Sequence, residues 1–241
     1  MERDLTVGEV INGTLALLAE NRNAALAYLL VFTVLGTTLE WGLFQAGVGA
    51  IPGLENADWL LAVFGLGAGI GALALVVLTI IGQYLLWESM LRESTIFAGG
   101  ERRRFLAFFG QAILVGLAVG FGFLLLIVPG LIFTARWAAA PAYLIAERQG
   151  VIDAMGSSWD MVRGNTTPVV LAILIVALLF VVLMVAGVMT FTDIDSDELT
   201  LGESLLGQVT SHAVTILSVS LGVFLFRRLH GSSRAVSGVF E

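Results

Sequence analysis

With 58% hydrophobic and 13% charged residues and a mean hydropathy of +0.95, this 241-residue chain carries more apolar surface than a soluble core of its size can hide. Its net charge of −7, with no basic, aromatic-interleaved segment, excludes nucleic acid as a partner. The absence of cysteine excludes disulfides, thiolate catalysis and cysteine-based metal centres.

The first 23 residues form an amphipathic segment. Between Leu5 and Asn21, Val7, Val10, Ile11, Thr14 and Leu18 share one helical face, and Glu9, Asn12, Gly13, Ala16 and Glu20 share the other. Glu2, Asp4, Glu9 and Glu20 do not fit a cleavable signal peptide, so the first apolar run is expected to serve as the insertion signal. Apolar runs then predict six transmembrane helices, over 24–45, 59–87, 105–128, 130–147, 168–191 and 205–226. The fold class is therefore an all-α polytopic bundle, a single integral membrane domain.

Only Pro129 and Gly130 separate the third span from the fourth. A straight helix from Phe105 to Glu147 would be about 64 Å long, twice the hydrocarbon thickness, so the chain is expected to turn back there as a hairpin. The second span contains GLGAGIGALA, with Gly65, Gly67, Gly69 and Gly71, and the third contains Gly116, Gly120 and Gly122. No strand precedes these glycines, which rules out a dinucleotide fingerprint and leaves close helix packing. Over 151–164 a second surface helix is expected, with Ile152, Met155, Trp159 and Val162 opposite Asp153, Ser157, Asp160 and Arg163. An offset of 144 positions relates the two units of surface helix plus span, each joined through an asparagine, Asn21 or Asn165, in the manner of an internal duplication with few identities.

Charge orients the spans. The loops after the first and fifth contain Glu55, Asp58, Asp193, Asp195, Asp197, Glu198 and Glu203 and no basic residue. Arginines 3, 22, 92, 102, 103, 104, 148, 163, 227, 228 and 234 all fall on the other side, and there is no lysine. The positive-inside rule then predicts that both termini are cytoplasmic.

Arg136 is the arginine left inside a span. A central arginine costs about 2.5–3.5 kcal/mol on insertion scales, so it needs a partner, water or the protein interior. Glu40 lies at a similar predicted depth, and the expectation is an Arg136–Glu40 pair; a ligand-binding role for Arg136 is the other reading. His212 completes the candidate intramembrane polar site, either as a proton relay or as a group held between helices. The loop DIDSDELTLGES alternates acids at Asp193, Asp195 and Asp197, but Glu198 stands where a calcium loop needs glycine and Ser204 where it needs glutamate. With two histidines, no H-E-x-x-H and no G-x-S-x-G, neither a metal site nor a catalytic constellation is expected, and no cofactor.

The stretch Val128 to Asn165, VPGLIFTARWAAAPAYLIAERQGVIDAMGSSWDMVRGN, resembles the signature of a group of poorly characterised bacterial integral membrane proteins. The same kind of module occurs as the membrane domain of some glycerophosphodiester phosphodiesterases. The matching residues are Pro129, Gly130, Arg136, Pro141, Glu147, Gly150, Ala154, Ser158, Trp159 and Gly164, and LTVGEVINGTLALLAENRN resembles the opening segment of those proteins. The resemblance implies a multi-pass protein of the bacterial cytoplasmic (inner) membrane. It places phosphodiesterase activity in a separate soluble domain and so implies no reaction for the spans. The expected function is a non-enzymatic membrane module in envelope or lipid organisation, with lipids and a protein partner or second copy as partners. The alternative is a transporter or channel for a small or amphiphilic solute, with the broken hairpin and Arg136 lining its path.

Overall fold

The computed structural model describes residues 5–45, 58–92, 104–191 and 200–230. They form α1 (Val7–Glu20), α2 (Arg22–Gln45), α3 (Asp58–Arg92), α4 (Phe105–Leu125), α5 (Ile127–Trp137), α6 (Ala140–Ala146), α7 (Val151–Met161), α8 (Thr166–Phe191) and α9 (Leu201–Leu225), which runs on into a π-helical turn over Phe226–His230. Six stretches are long and apolar enough to span a bilayer, one of them built from α5 and α6 together. Within α8 the mean hydropathy reaches 3.5, while large side chains such as Leu178, Val182 and Leu183 stay uncovered by protein. Such a surface requires lipid around it.

Helix starts follow local chemistry. Thr6 and Glu9 close a capping box on α1, and Thr200 and Glu203 close one on α9, each satisfying backbone donors at the helix start reciprocally. The second box sets the start of α9 four residues before the predicted edge of span six. It also occupies the Glu203 carboxylate, which accepts from the Thr200 backbone N–H at 2.8 Å. Glu55, the acids at 193–198 and Arg3, Arg102, Arg103 and Arg234 lie outside the described residues.

Long helices alternate in direction. Glu40 meets Ser204 while Tyr28 and Phe32 meet His212, so α2 and α9 are antiparallel. Gly71 approaches Leu39 and Gly82 faces Phe32, which makes α3 antiparallel to α2. This brings α1 and the end of α9 to the same end of the bundle, where Arg227 reaches Glu20 at 3.3 Å.

The hairpin forms, but its turn is not at Pro129-Gly130. The break is Leu126, which is extended (φ −164, ψ 152) and serves as both C-cap of α4 and N-cap of α5. Pro129 sits in the first turn of α5, where a missing N–H costs nothing. Gly130 acts by size: its backbone lies against Gly122 of α4 and its Cα against the Phe123 ring. Leu126 donates to Gly122 O and its carbonyl accepts from Gly130 N, so the break residue itself leaves neither backbone group unpaired. Leu124 to Val128 are all exposed on it.

The two amphipathic helices are packed into the protein more deeply than helices resting on a surface. On α1 the buried line is Val10, Thr14 and Leu17. Gly13, expected on the polar face, instead admits the Phe224 ring of α9. On α7 the buried line is Ala154, Ser158 and Val162, while Ile152, on the apolar face expected to lie against the membrane, is 69% exposed. The two asparagines also diverge: Asn21 caps α1 through Leu17 O, whereas Asn165 Oδ1 accepts from the Leu5 N–H and ties the chain start to the head of α8.

Glycine packing is testable. A Cβ at Gly222 would collide with the Ala138 carbonyl and the Trp87 ring, whereas one at Gly120 meets nothing. Gly222→Ala is expected to destabilise the protein by about 1–3 kcal/mol, and Gly120→Ala to leave it unchanged or gain up to about 1 kcal/mol. Thermal unfolding of the two variants in one detergent separates them; equal melting curves would contradict this packing.

Candidate functional site

Arg136 lies on the last turn of α5, ten residues past the Leu126 break, or about 15 Å along the helix axis. The expected pair with Glu40 does not form. One guanidinium N–H of Arg136 donates to the Trp159 carbonyl at 2.8 Å, and the guanidinium carbon stands 4.9 Å from the centre of the Trp159 ring. In return Ser158, fully buried, donates from Oγ to the Arg136 carbonyl at 2.7 Å. The sequence estimate failed because it measured depth from Pro129-Gly130; with the turn at Leu126, Arg136 falls beside α7.

The Trp159 carbonyl is available for a physical reason. It lies in the last turn of α7, and Arg163 N donates to Asp160 O instead of to it. A helix C-terminus carries partial negative charge, which a cation stabilises. Phe133, Trp137 and Trp159 close over the joint with ring centroids 5.1–6.0 Å apart. Offset aromatic packing of this kind adds to the burial it supplies. Arg136, Ser158 and Trp159 of the signature stretch therefore converge in space as an interhelical clamp.

Two other arginines act in the same way. Arg104 donates to Leu144 O in the last turn of α6 and to Gln149 O beyond it. Arg227 donates to Met90 O in the last turn of α3 at 2.7 Å.

Glu40 is answered by α9. Its Oε2 accepts from Ser204 Oγ at 2.8 Å and from Gln208 Nε2 at 3.1 Å. Gly36, one turn earlier, leaves room for the Gln208 side chain. His212 lies further along the same seam, buried, edge-on to Tyr28 at 5.6 Å and tilted against Phe32 at 5.9 Å. Arg136, Glu40 and His212 thus do not make one polar site. Glu40 and His212 share the α2–α9 seam, and Arg136 belongs to the α5–α7 clamp. Ser204 and Gln208 are the partners of Glu40 that the sequence did not pair with it, although Gln208 is one of the glutamines within the spans; their signal was spacing, since they follow each other by four residues on one face of α9. Gln149 and Glu147 also bond each other beyond α6, where His230 Nε2 stands 2.9 Å from Glu147 Oε1. Among the described residues no cluster of three or more His, Asp or Glu side chains could hold a metal ion.

A cavity of about 430 Å³ opens between α3, α4, α5, α6, α8 and α9, behind the clamp. Trp87, Phe108 and Trp137 form much of its wall, and its polar groups are Gln83, Gln111, Thr134 and Ser218.

The bundle defines the class: an all-helical, multi-pass membrane protein whose intramembrane charges hold helices together. The chain is similar to a protein of Photorhabdus laumondii described as UPF0259 membrane protein plu2479, at 30% identity over 119 residues. That match covers 45% of each chain, so it spans under half the length of the relative. No protein-family profile matches the chain, and no solved structure matches it. The relative's description is that of a membrane protein; nothing in it connects this chain to phosphodiesterase membrane domains.

Additivity tests the clamp. Arg136→Ala removes a charge-assisted hydrogen bond worth about 1.5–3 kcal/mol. Combined with Ser158→Ala it should deviate from additivity by more than about 0.5 kcal/mol, and combined with Glu40→Gln it should not. Amide exchange at residues 158–162 should quicken in Arg136→Ala alone. Strong coupling between positions 136 and 40 would restore the ion pair that the structure replaces.

Proposed function

We propose that this chain is a non-enzymatic module of the bacterial inner membrane that organises envelope lipids, with both termini cytoplasmic. Its partners are membrane lipids together with a protein partner or a second copy of the chain. The observation that carries the reading is the use of the charges within the spans: half-buried Arg136, and Glu40, exposed near the end of its span, are each held by neutral groups of a neighbouring helix. Neither charge lines the cavity. A carrier that selects a charged solute leaves such groups facing its path. Large exposed apolar faces on α4 and α8, and the apolar tip at Leu124–Val128, offer an extensive surface to acyl chains. Arginines 22, 92, 104, 148, 163, 227 and 228 sit at helix ends on the side that carries α1 and the end of α9, which supports cytoplasmic termini.

Orientation is checked with introduced cysteines, since the chain has none of its own. Asp153→Cys on α7 should react with a membrane-impermeant maleimide only after cells are permeabilised, and Leu201→Cys at the start of α9 should react in intact cells; the reverse pattern would invert the topology. For the activity, protein reconstituted in liposomes should give neither solute flux nor lipid flipping, while deletion of the gene should alter envelope permeability or lipid composition. A solute flux that folded Arg136→Ala loses would replace this reading with the transporter.

A further inference from the structure

The cavity behind the clamp has a chemistry that narrows what it can hold. At about 430 Å³ it falls within the roughly 300–1,000 Å³ range of small-molecule sites. None of its lining residues is charged. Ala112, Gly116 and Ser218 lie at its rim and are exposed on the outer surface of the bundle, so it opens sideways, toward lipid.

Gln111 is the unusual group. Its side chain forms part of the wall and is 1% exposed, yet neither its amide nitrogen nor its amide oxygen has a hydrogen-bond partner. A buried unpaired amide costs about 1–3 kcal/mol, a penalty that a bound ligand would lift. Gln111 lies six residues into α4, about 9 Å from the Phe105 end. At that depth the hydrocarbon layer supplies no hydrogen bonds of its own. Both amide atoms are buried beside the cavity, and the terminal amide torsion is broad, so a ligand is met by turning the amide and not by moving the helix.

The remaining polar groups specify the ligand's own groups. Thr134 Oγ1 gives its proton to Gly130 O and Ser218 Oγ gives its proton to Val214 O, so both hydroxyls are left as acceptors. The glutamine amides supply the donors. A fitting ligand therefore brings at least one carbonyl to accept and one hydroxyl to donate, carries no charge, and continues into an apolar body that lies against Trp87, Phe108 and Trp137. We infer that this lateral cavity binds a neutral glycerolipid of the diacylglycerol class, with Gln111 recognising its ester or hydroxyl group. A phospholipid headgroup is disfavoured because no cation in the wall would meet its phosphate. The inference rests on the lipid-organising reading and gives it a ligand. Its failure would leave that reading intact, because the flux and deletion experiments do not depend on the cavity.

Of the five tryptophans, Trp87 and Trp137 line the cavity, so the difference in quenching between two lipids reports its occupancy. In phosphatidylcholine nanodiscs, full-length protein should show stronger tryptophan quenching by dibrominated diacylglycerol than by the same mole fraction of dibrominated phosphatidylcholine. Gln111→Leu, which keeps the bulk and removes the amide, should weaken the diacylglycerol-specific component about five- to tenfold. Gly116→Leu, at a rim position where a Cβ meets nothing, should fold normally and block the cavity, abolishing that component. Equal quenching by the two brominated lipids in the wild type would overturn the proposal and reduce the cavity to a groove filled by any acyl chain or by water. Selective quenching that survives both substitutions would also overturn it, by placing the diacylglycerol elsewhere.

Discussion

An arginine inside a membrane protein needs an acceptor that does not itself have to be brought into the bilayer at further cost, and the last turn of a helix is such an acceptor. Its final carbonyls have no intrahelical partner and carry the negative end of the helix dipole. Three arginines here use it: Arg136 on α7, Arg104 on α6 and Arg227 on α3. Each bond joins helices that are distant in sequence, and together they set which helix ends are neighbours. Arg136 and Arg104 use backbone carbonyls without an acidic partner, Arg227 adds Glu20 to its carbonyl, and Glu40 is left to neutral donors on α9.

The clamp at Arg136 has the widest consequences. It draws α7 back along α5 and α6, so that Ser158 and Val162 become interior residues, and it sets Trp159 tilted against Trp137 beside the cavity that Trp137 also lines. The hairpin that presents Arg136 closes on small residues, with Gly122 against Gly130, because hydrocarbon does not drive helices together and close van der Waals contact has to. Positioning, packing and the cavity wall thus share one set of side chains, and Arg136 serves them without itself reaching the cavity.

The α2–α9 seam is built differently. Gly36, Glu40, Ser204, Gln208 and His212 alternate along facing helices, with the polar contacts toward the far end and aromatic contacts of His212 with Tyr28 and Phe32 deeper in. Interhelical hydrogen bonds of this kind average under about 1 kcal/mol each in membrane proteins, so they set register more than they supply stability. Gln111 stands apart from both systems as a buried amide that no other helix answers.

Much of the architecture was legible in the chain because hydropathy and helix length are local. The expected span over 24–45 is α2 from Arg22 to Gln45, the one over 168–191 is α8 from Thr166 to Phe191, and the hairpin was forced by length alone. The surface helix expected over 151–164 begins where α7 begins. What sequence could not settle was which residue turns and which pairs meet. A proline-glycine dipeptide reads as a turn, yet the helix restarted at Ile127, two residues before it, with the N–H and carbonyl of Leu126 at the break paired to Gly122 and Gly130. Moving the turn by those residues changed the depth of Arg136 and with it the partner, from a carboxylate to a carbonyl. Composition, spans and the one-sided arginines belong to the sequence by itself, since each depends on the affinity of a segment for lipid or water. The partners of Arg136 and Glu40, the burial of Ser158 and the cavity around Gln111 were decided only by the tertiary structure, since each depends on a contact between helices far apart in the chain.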